Sequence, residues 1–302
     1  MIGTVYKSTG SWYKVKLENG KFIDCRLLGK FREKNIKSTN PVCVGDVVKL
    51  NNNKNTPQIE FIFDRKNYLI RKSVKLSKQF HIIASNIDIC FLIITVKNPE
   101  TSTMFIDRFL ASTFSYNIDT VLLFNKVDDI SDKEENTLKT FLATYKSAGY
   151  DCLKISGKKG INIDKLKLIM KGKSCVFSGH SGVGKSTLIN RLDSKINIKT
   201  LPISKSNLSG QHTTTFSEMH DLEFGSRIID TPGIKGFGLF DVSNFELKDF
   251  FKEFICVEQC KFNNCLHYNE PGCNVKILVE NGSISRSRYD NYIQLLEEIQ
   301  NS

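Results

Sequence analysis

The stretch Gly179-His180-Ser181-Gly182-Val183-Gly184-Lys185-Ser186-Thr187 has the residue types and spacing to hold a nucleoside triphosphate. In a glycine, four variable residues, then glycine, lysine and serine, the glycines let backbone N–H groups curl around phosphate oxygens. Lys185 then reaches the β- and γ-phosphates, and Ser186 ligates Mg²⁺. An apolar run at 175–177 precedes the stretch and an apolar segment at 188–192 follows it. The order is therefore strand, loop, helix, with the positive end of the helix dipole at the phosphates. A chance glycine-rich turn is the bland alternative, and the flanking pattern argues against it.

A second group reads the base. Asn125-Lys126-Val127-Asp128 follows the apolar run 120–124. Asp128 can accept from N1–H and the N2 amine of guanine, while Asn125 meets the base edge near N7. Adenine would leave a buried carboxylate unpaired, a discrimination on the order of hundreds-fold or more. Ser156-Gly157 fits a short loop whose backbone N–H meets the guanine carbonyl. Asp230, closing the segment 227–230, can hold Mg²⁺ through water, and Gly233 can offer its N–H to the γ-phosphate. One threonine of 213–215 coordinates Mg²⁺ in the triphosphate state, with Thr214 favoured. In Ras-like enzymes a glutamine after that glycine orients the attacking water, but here Ile234 follows Gly233. His212 is the nearest candidate for that task, so Lys185, Thr214 and His212 are the expected catalytic groups. His212 could instead contact RNA or pack in its loop.

These residues need a sheet behind them. From residue 82 the pattern alternates: a buried run at 87–96, a helical stretch at 104–116, and strands at 120–124 and 152–155. Ser131 and Glu134 form a capping box before Leu138, Phe141, Leu142 and Tyr145, and Ile163–Met170 reads as a helix closed by Gly172. This is a doubly wound α/β sheet with ligands beyond its strand C-termini. Ahead of it, five short alternating segments at 3–7, 12–17, 22–27, 46–50 and 59–63 fit a small OB-type β-barrel, a frequent RNA carrier. Asn19-Gly20 marks one hairpin. Trp12, Tyr13 and Phe31 stand among lysines as stacking platforms would, although barrel aromatics are more often core. Residues 65–81 read as a linker.

Charge agrees with an RNA-binding front. Of the net +11, residues 1–72 carry 15 lysines and arginines against 6 acids, and residues 73–302 carry 28 against 26. A basic module beside a near-neutral one points to a polyanion, with a merely solvated lysine-rich surface as the alternative. No apolar run approaches a membrane span and no signal-peptide pattern opens the chain, which makes the cytoplasm the default. Nine cysteines, an odd number, several of them in apolar runs, argue against a disulfide framework. Four ligand types do cluster: Cys260, Cys265, His267 and Cys273 could satisfy a tetrahedral zinc. Their spacing is not a common finger pattern, so buried free thiols stay open as a reading. The segments 243–254 and 289–299 around them read as helices.

The nucleotide motifs are complete but rotated. Asn125–Asp128 and Ser156 precede the P-loop, and Asp230-Thr231-Pro232-Gly233 comes last, as in a circular permutation. With the basic barrel in front and the cysteine cluster behind, the chain resembles the ribosome small subunit-dependent GTPase A (RsgA) family over essentially its whole length. The resemblance implies a cytoplasmic bacterial GTPase, monomeric, that binds the small ribosomal subunit and its 16S rRNA late in maturation. Subunit-stimulated hydrolysis would drive release. It further implies zinc at Cys260, Cys265, His267 and Cys273, and supports His212 in the water-positioning role. The expected domains are an OB barrel at 1–64, a linker at 65–81, a circularly permuted GTPase domain at 82–240 and an α-helical zinc-binding domain at 241–302. Gly233, Gly236 and Gly238 are expected to let a switch movement reach that last domain. An RNA-binding assembly scaffold with GTP or GDP as a static ligand is the alternative from another class. A metabolic kinase lacks an acceptor site in the sequence.

Overall fold

The computed structural model describes residues 1–28, 40–51, 56–72, 80–196, 217–230, 242–255 and 257–301. Strands β1 (Ile2–Ser8), β2 (Tyr13–Leu17), β3 (Phe22–Leu27), β4 (Val47–Asn51) and β5 (Gln58–Ile62) match the five expected segments to about a residue. They alternate because one face is filled. Val5, Tyr13, Val15, Cys25, Val48, Leu50 and Ile59 are buried in one cluster, while Lys14, Asp24 and Lys49 are exposed. β1 pairs antiparallel with both β2 and β4, β3 runs parallel to β5, and β4 antiparallel to β5. The five strands thus close into a barrel of the OB type, which removes the free edges of an open sheet.

Residues 65–81 are not the plain linker that their polar, basic start suggests. They contain β6 (Tyr68–Lys72), which pairs antiparallel with β7 (Phe80–Ser85). The charge that suggested a linker is partly spent inside. Fully buried Asp46 accepts from Arg65 Nε at 2.7 Å and Nη2 at 2.8 Å, from Ser85 Oγ at 2.6 Å and from the Cys43 N–H at 2.9 Å.

Strand and helix then alternate: β8 (Ile89–Ile94), α1 (Thr103–Ser115), β9 (Thr120–Phe124), α2 (Asp132–Ser147), β10 (Asp151–Lys154), α3 (Ile163–Met170), β11 (Ser174–Ser178), α4 (Lys185–Leu192), β12 (Glu218–Asp221) and β13 (Arg227–Asp230). Every residue of β8, β9 and β11 is buried. Strands covered on both faces read as continuous apolar runs. At the start of α2, Glu134 accepts the Ser131 N–H, as the capping box requires.

Beyond these lie a 3₁₀ turn at Leu247–Phe250, then α5 (Lys252–Ile255), α6 (Asn274–Glu280) and α7 (Arg286–Gln300). The apolar spacing at 243–254 suggests one helix, but Phe251 is extended, with φ −106° and ψ 103°. The break lets Phe251 and Phe254 stack at 5.2 Å, each edge-on to Tyr292. Tertiary packing of aromatics here overrides helical periodicity.

The chain forms two compact units, one of Met1–Phe91, Ile163–Ser178 and Lys185–Gly236, the other of Leu92–Asn162, Gly179–Gly184 and Phe237–Ser302. In the first, β11 is parallel to β13, β12 is antiparallel to β13, and Lys7 of β1 faces Glu218 of β12 with an ion pair of 2.7 Å. In the second, β9 and β10 are parallel, and the Asn125 N–H reaches Ile94 O of β8 at 2.8 Å. Ala111 of α1 lies in the same apolar core as Leu247, Phe251, Phe254, Tyr292, Leu295 and Leu296. The C-terminal helices therefore do not rely on a core of their own. Among the described residues no helix is long and apolar enough to cross a membrane.

Candidate functional site

The P-loop leaves β11 at Ser178 and enters α4 at Lys185. Two of its glycines are obligatory on steric grounds. At Gly184, with φ +94°, an added Cβ would sit 2.6 Å from Asn125 Nδ2; at Gly179, φ +152°, it would sit 2.8 Å from Ile93 O. Any side chain at either place would push the loop off its supports.

Those supports come from the base-reading segment. Buried Asn125 donates Nδ2–H to Val183 O at 2.7 Å and accepts the Gly157 N–H on Oδ1 at 3.1 Å. Lys126, in the left-handed region at φ +65°, donates to Gly182 O at 2.8 Å and to Asn98 O at 2.5 Å. Burial holds its ammonium pKa below the usual lysine value. The Val127 N–H reaches Ile155 O at 3.3 Å. Asn125 thus acts first as a brace between two loops, with one amide hydrogen left for a base edge. Gly157 gives its N–H to that brace, which ties the Ser156-Gly157 loop to the base-reading segment.

Asp128, the expected base acceptor, is kept charged by its neighbours. The Ser156 hydroxyl holds its carboxyl below the usual carboxylate range, helped by a backbone N–H and by Lys158 and Lys159. Ser156 is itself fully buried, and its Oγ accepts the Lys159 N–H at 2.9 Å. The exposed ring of His180 lies tilted against Phe105 of α1, with ring centroids 3.8 Å apart. Lys185 and Ser186 are half-buried at the start of α4, Ser181 and Thr187 are exposed, and Asp230 is the half-buried end of β13. His212, Thr214 and Gly233 lie outside the described residues.

The metal-ligand cluster is assembled as the sequence proposed. Cys260 Sγ, Cys265 Sγ, Cys273 Sγ and a ring nitrogen of His267 all lie within 4.8 Å of one another. His267 Nδ1 is 3.7 Å from Cys260 Sγ and 3.3 Å from Cys273 Sγ, and the two sulfurs are 3.9 Å apart. A zinc with bonds of about 2.0 Å to nitrogen and 2.3 Å to sulfur spaces its ligand atoms by about 3.5–3.8 Å, so the donor set fits. Burial first, and Lys248 next, lower the His267 pKa to about 4, leaving a neutral ring of the kind that ligates metals. Burial pushes the Cys265 thiol up to about 12, a cost that a bound dication reverses. Two tyrosines of α7 hold the loop carbonyls: Tyr289 OH donates to His267 O at 2.7 Å and Tyr292 OH to Leu266 O at 2.5 Å.

On the barrel, Trp12 and Phe22 are 42% and 47% exposed, with Arg26 4.3 Å from the Trp12 ring and Lys14 5.1 Å from that of Phe22. Tyr13, a candidate platform by sequence, is core at 2%, and Phe31 lies outside the described residues. Phe22 was missed although it opens an alternating strand beside Lys21, a signal available in the sequence. Also missed was Arg288, fully buried against Asp107 and Glu253. An arginine in register with Tyr292 and Leu295 on one helix stripe is the sequence sign of a buried acidic partner.

The RsgA GTPase family profile matches residues 62–240, and the RsgA N-terminal domain profile matches residues 2–58. The small ribosomal subunit biogenesis GTPase RsgA of Christiangramia forsetii is 55% identical over 302 residues, 98% of this chain and 96% of that protein. Its counterpart in Flavobacterium johnsoniae is 52% identical, over 98% of this chain and 93% of that protein. Among solved structures, YjeQ from Thermotoga maritima superposes with a TM-score of 0.83 at 35% identity, covering 100% of this chain and 99% of that one. YloQ, described as a circularly permuted GTPase, gives 0.78 at 29% identity, over 99% and 95%.

Proposed function

The chain belongs to the RsgA family and is a GTPase, and on that premise we propose that it works on the small ribosomal subunit late in its maturation, with hydrolysis driving release. The observation that carries the nucleotide half is Asp128, held ionised by Ser156 beside a P-loop braced through Asn125 and Lys126. That arrangement suits guanine, whose N1–H and N2 amine need a charged acceptor. Lys185 takes the β- and γ-phosphates; Ser186, Thr214 and Asp230 hold Mg²⁺; Gly233 senses the γ-phosphate; His212 orients the water. Zinc at Cys260, Cys265, His267 and Cys273 is structural, since four protein ligands leave no open position.

The RNA half rests on the charge of residues 1–72 and on Trp12 and Phe22, exposed among basic side chains on a closed barrel. Such a surface suits 16S rRNA, by phosphate neutralisation and base stacking. The protein is then a cytoplasmic monomer that meets its activator as a ribosomal particle. GTP turnover measured with and without purified small subunits, with ATP as competitor, tests the reading. Strong stimulation and no competition are expected; turnover indifferent to the subunit would leave the chain a scaffold with a static nucleotide.

A further inference from the structure

His180 occupies one of the variable places of the P-loop, where phosphate binding by backbone N–H groups requires no imidazole. Its ring lies on Phe105, with 34° between the planes and centroids 3.8 Å apart. Two residues further along α1, Asp107 is 1% exposed. Its Oδ1 accepts from Arg288 Nη1 at 2.6 Å, and its Oδ2 from Asn291 Nδ2 at 2.6 Å. The remaining arms of Arg288 go to Glu253, from Nε at 2.5 Å and Nη2 at 2.8 Å. Arg108 of α1 adds an outer tie to Glu298 at 2.7 Å.

The same helix α7 that supplies Arg288 and Asn291 supplies Tyr289 and Tyr292, whose hydroxyls hold the carbonyls of His267 and Leu266. One helix thus grips both α1 and the loop that carries two of the four metal ligands. A buried guanidinium shared by two carboxylates tolerates no loosening, because removing any partner strands a charge. Helix α1 is therefore tied down at Asp107, two residues from the ring that meets His180.

We propose that Phe105 and Arg288 are positioning residues for the GTPase reaction. Arg288 fixes α1, α1 presents Phe105 as a platform, and the platform sets His180 and with it the N–H groups of residues 179–184. Cys260, Cys265, His267 and Cys273 would hold a zinc whose binding would order the 265–267 loop, and Tyr289 and Tyr292 tie that loop to α7 and so to α1. This rests on residues 179–187 being the triphosphate loop.

The test uses the full-length chain, a fluorescent GDP analogue, steady-state GTP turnover and amide hydrogen exchange. Phe105→Ala is expected to raise Kd and KM by about 2–12-fold, the range of one aromatic pair, with kcat retained and exchange at 179–184 accelerated. Phe105→Tyr restores wild-type values. His180→Ala added to Phe105→Ala costs nothing more, since both remove one contact. Arg288→Lys reproduces the KM effect; should it fail to fold, Asn291→Leu, which removes a single hydrogen bond to Asp107, takes its place. Stripping the metal with a chelator accelerates exchange at 265–273 and at 179–184 together. The proposal is overturned by an unchanged Kd in Phe105→Ala, by additive losses in the double variant, or by a 179–184 loop that stays protected while 265–273 opens. Absence of any nucleotide-dependent protection at 179–187 in the wild type would instead sink the reading of that loop as the phosphate site.

Discussion

At the scale of single residues, the guanine reading proposed above turns on the Asp128 carboxylate, which the Ser156 hydroxyl keeps charged. Asp128→Asn is expected to shift preference from guanine toward xanthine nucleotides, because an amide can donate to the base carbonyl at position 2; a competition assay with GTP, XTP and ATP reads it. The Ser156 hydroxyl makes a second, pH-resolved prediction. It depresses the Asp128 pKa, so affinity for GDP is full at neutral pH and persists as pH falls into the ordinary carboxylate range. It is lost only as pH drops through the lowered value. Ser156→Ala should move that loss to higher pH, toward the usual aspartate value of about 3.9, in a titration of Kd against pH. His212→Ala is expected to bind GTP normally and lose subunit-stimulated hydrolysis. The types and spacing of these residues were legible in the sequence. Invisible was the way Asn125 and Gly157 spend their groups on each other, because a brace between distant loops leaves no local pattern.

Among the elements, those with strong local signals came through: five alternating barrel strands, the apolar runs of β8, β9 and β11, and the Ser131 cap of α2. The elements that failed depend on partners far along the chain. β6 reads as linker because Arg65 looks like a solvated charge, whereas Asp46, 19 residues earlier, takes it into the interior. Removing one member of a buried pair leaves the other stranded, at a cost of about 3–5 kcal/mol. Arg65→Met should therefore destabilise the barrel by about that much. The chain's one tryptophan, Trp12, gives a site-specific readout: its fluorescence in a urea titration should report an earlier midpoint. A matching midpoint in variant and wild type would mean that Arg65 is solvated after all. The expected helix at 243–254 failed for the opposite reason, since its apolar spacing is genuine but Phe251 packs better extended.

For the molecule as a whole, the distribution of charge was legible and the division into units was not. The permuted order of motifs is visible in the sequence, but α1 and the helices α5, α6 and α7 share one apolar core, so the C-terminal segment packs on α1 instead of forming a core of its own. The connector glycines expected to transmit a switch, Gly233, Gly236 and Gly238, lie outside the described residues. For the barrel, replacing Lys14 and Arg26 with glutamate should weaken RNA binding and flatten its salt dependence by roughly one unit of log–log slope per lost phosphate contact; an unaltered slope would place the RNA elsewhere. The buried Arg288 also bears on how the protein is made. Asp107 and Arg288 are 181 residues apart, and at about 5–20 residues per second that separation amounts to roughly ten to forty seconds of translation. Within that interval the nascent chain gains its base-reading strand and then its P-loop, while Asp107 still lacks the Arg288 guanidinium that donates to it. A chain that stops between Gly233 and α7 thus carries every nucleotide motif and lacks the buried cation that Asp107 pairs with in the finished protein.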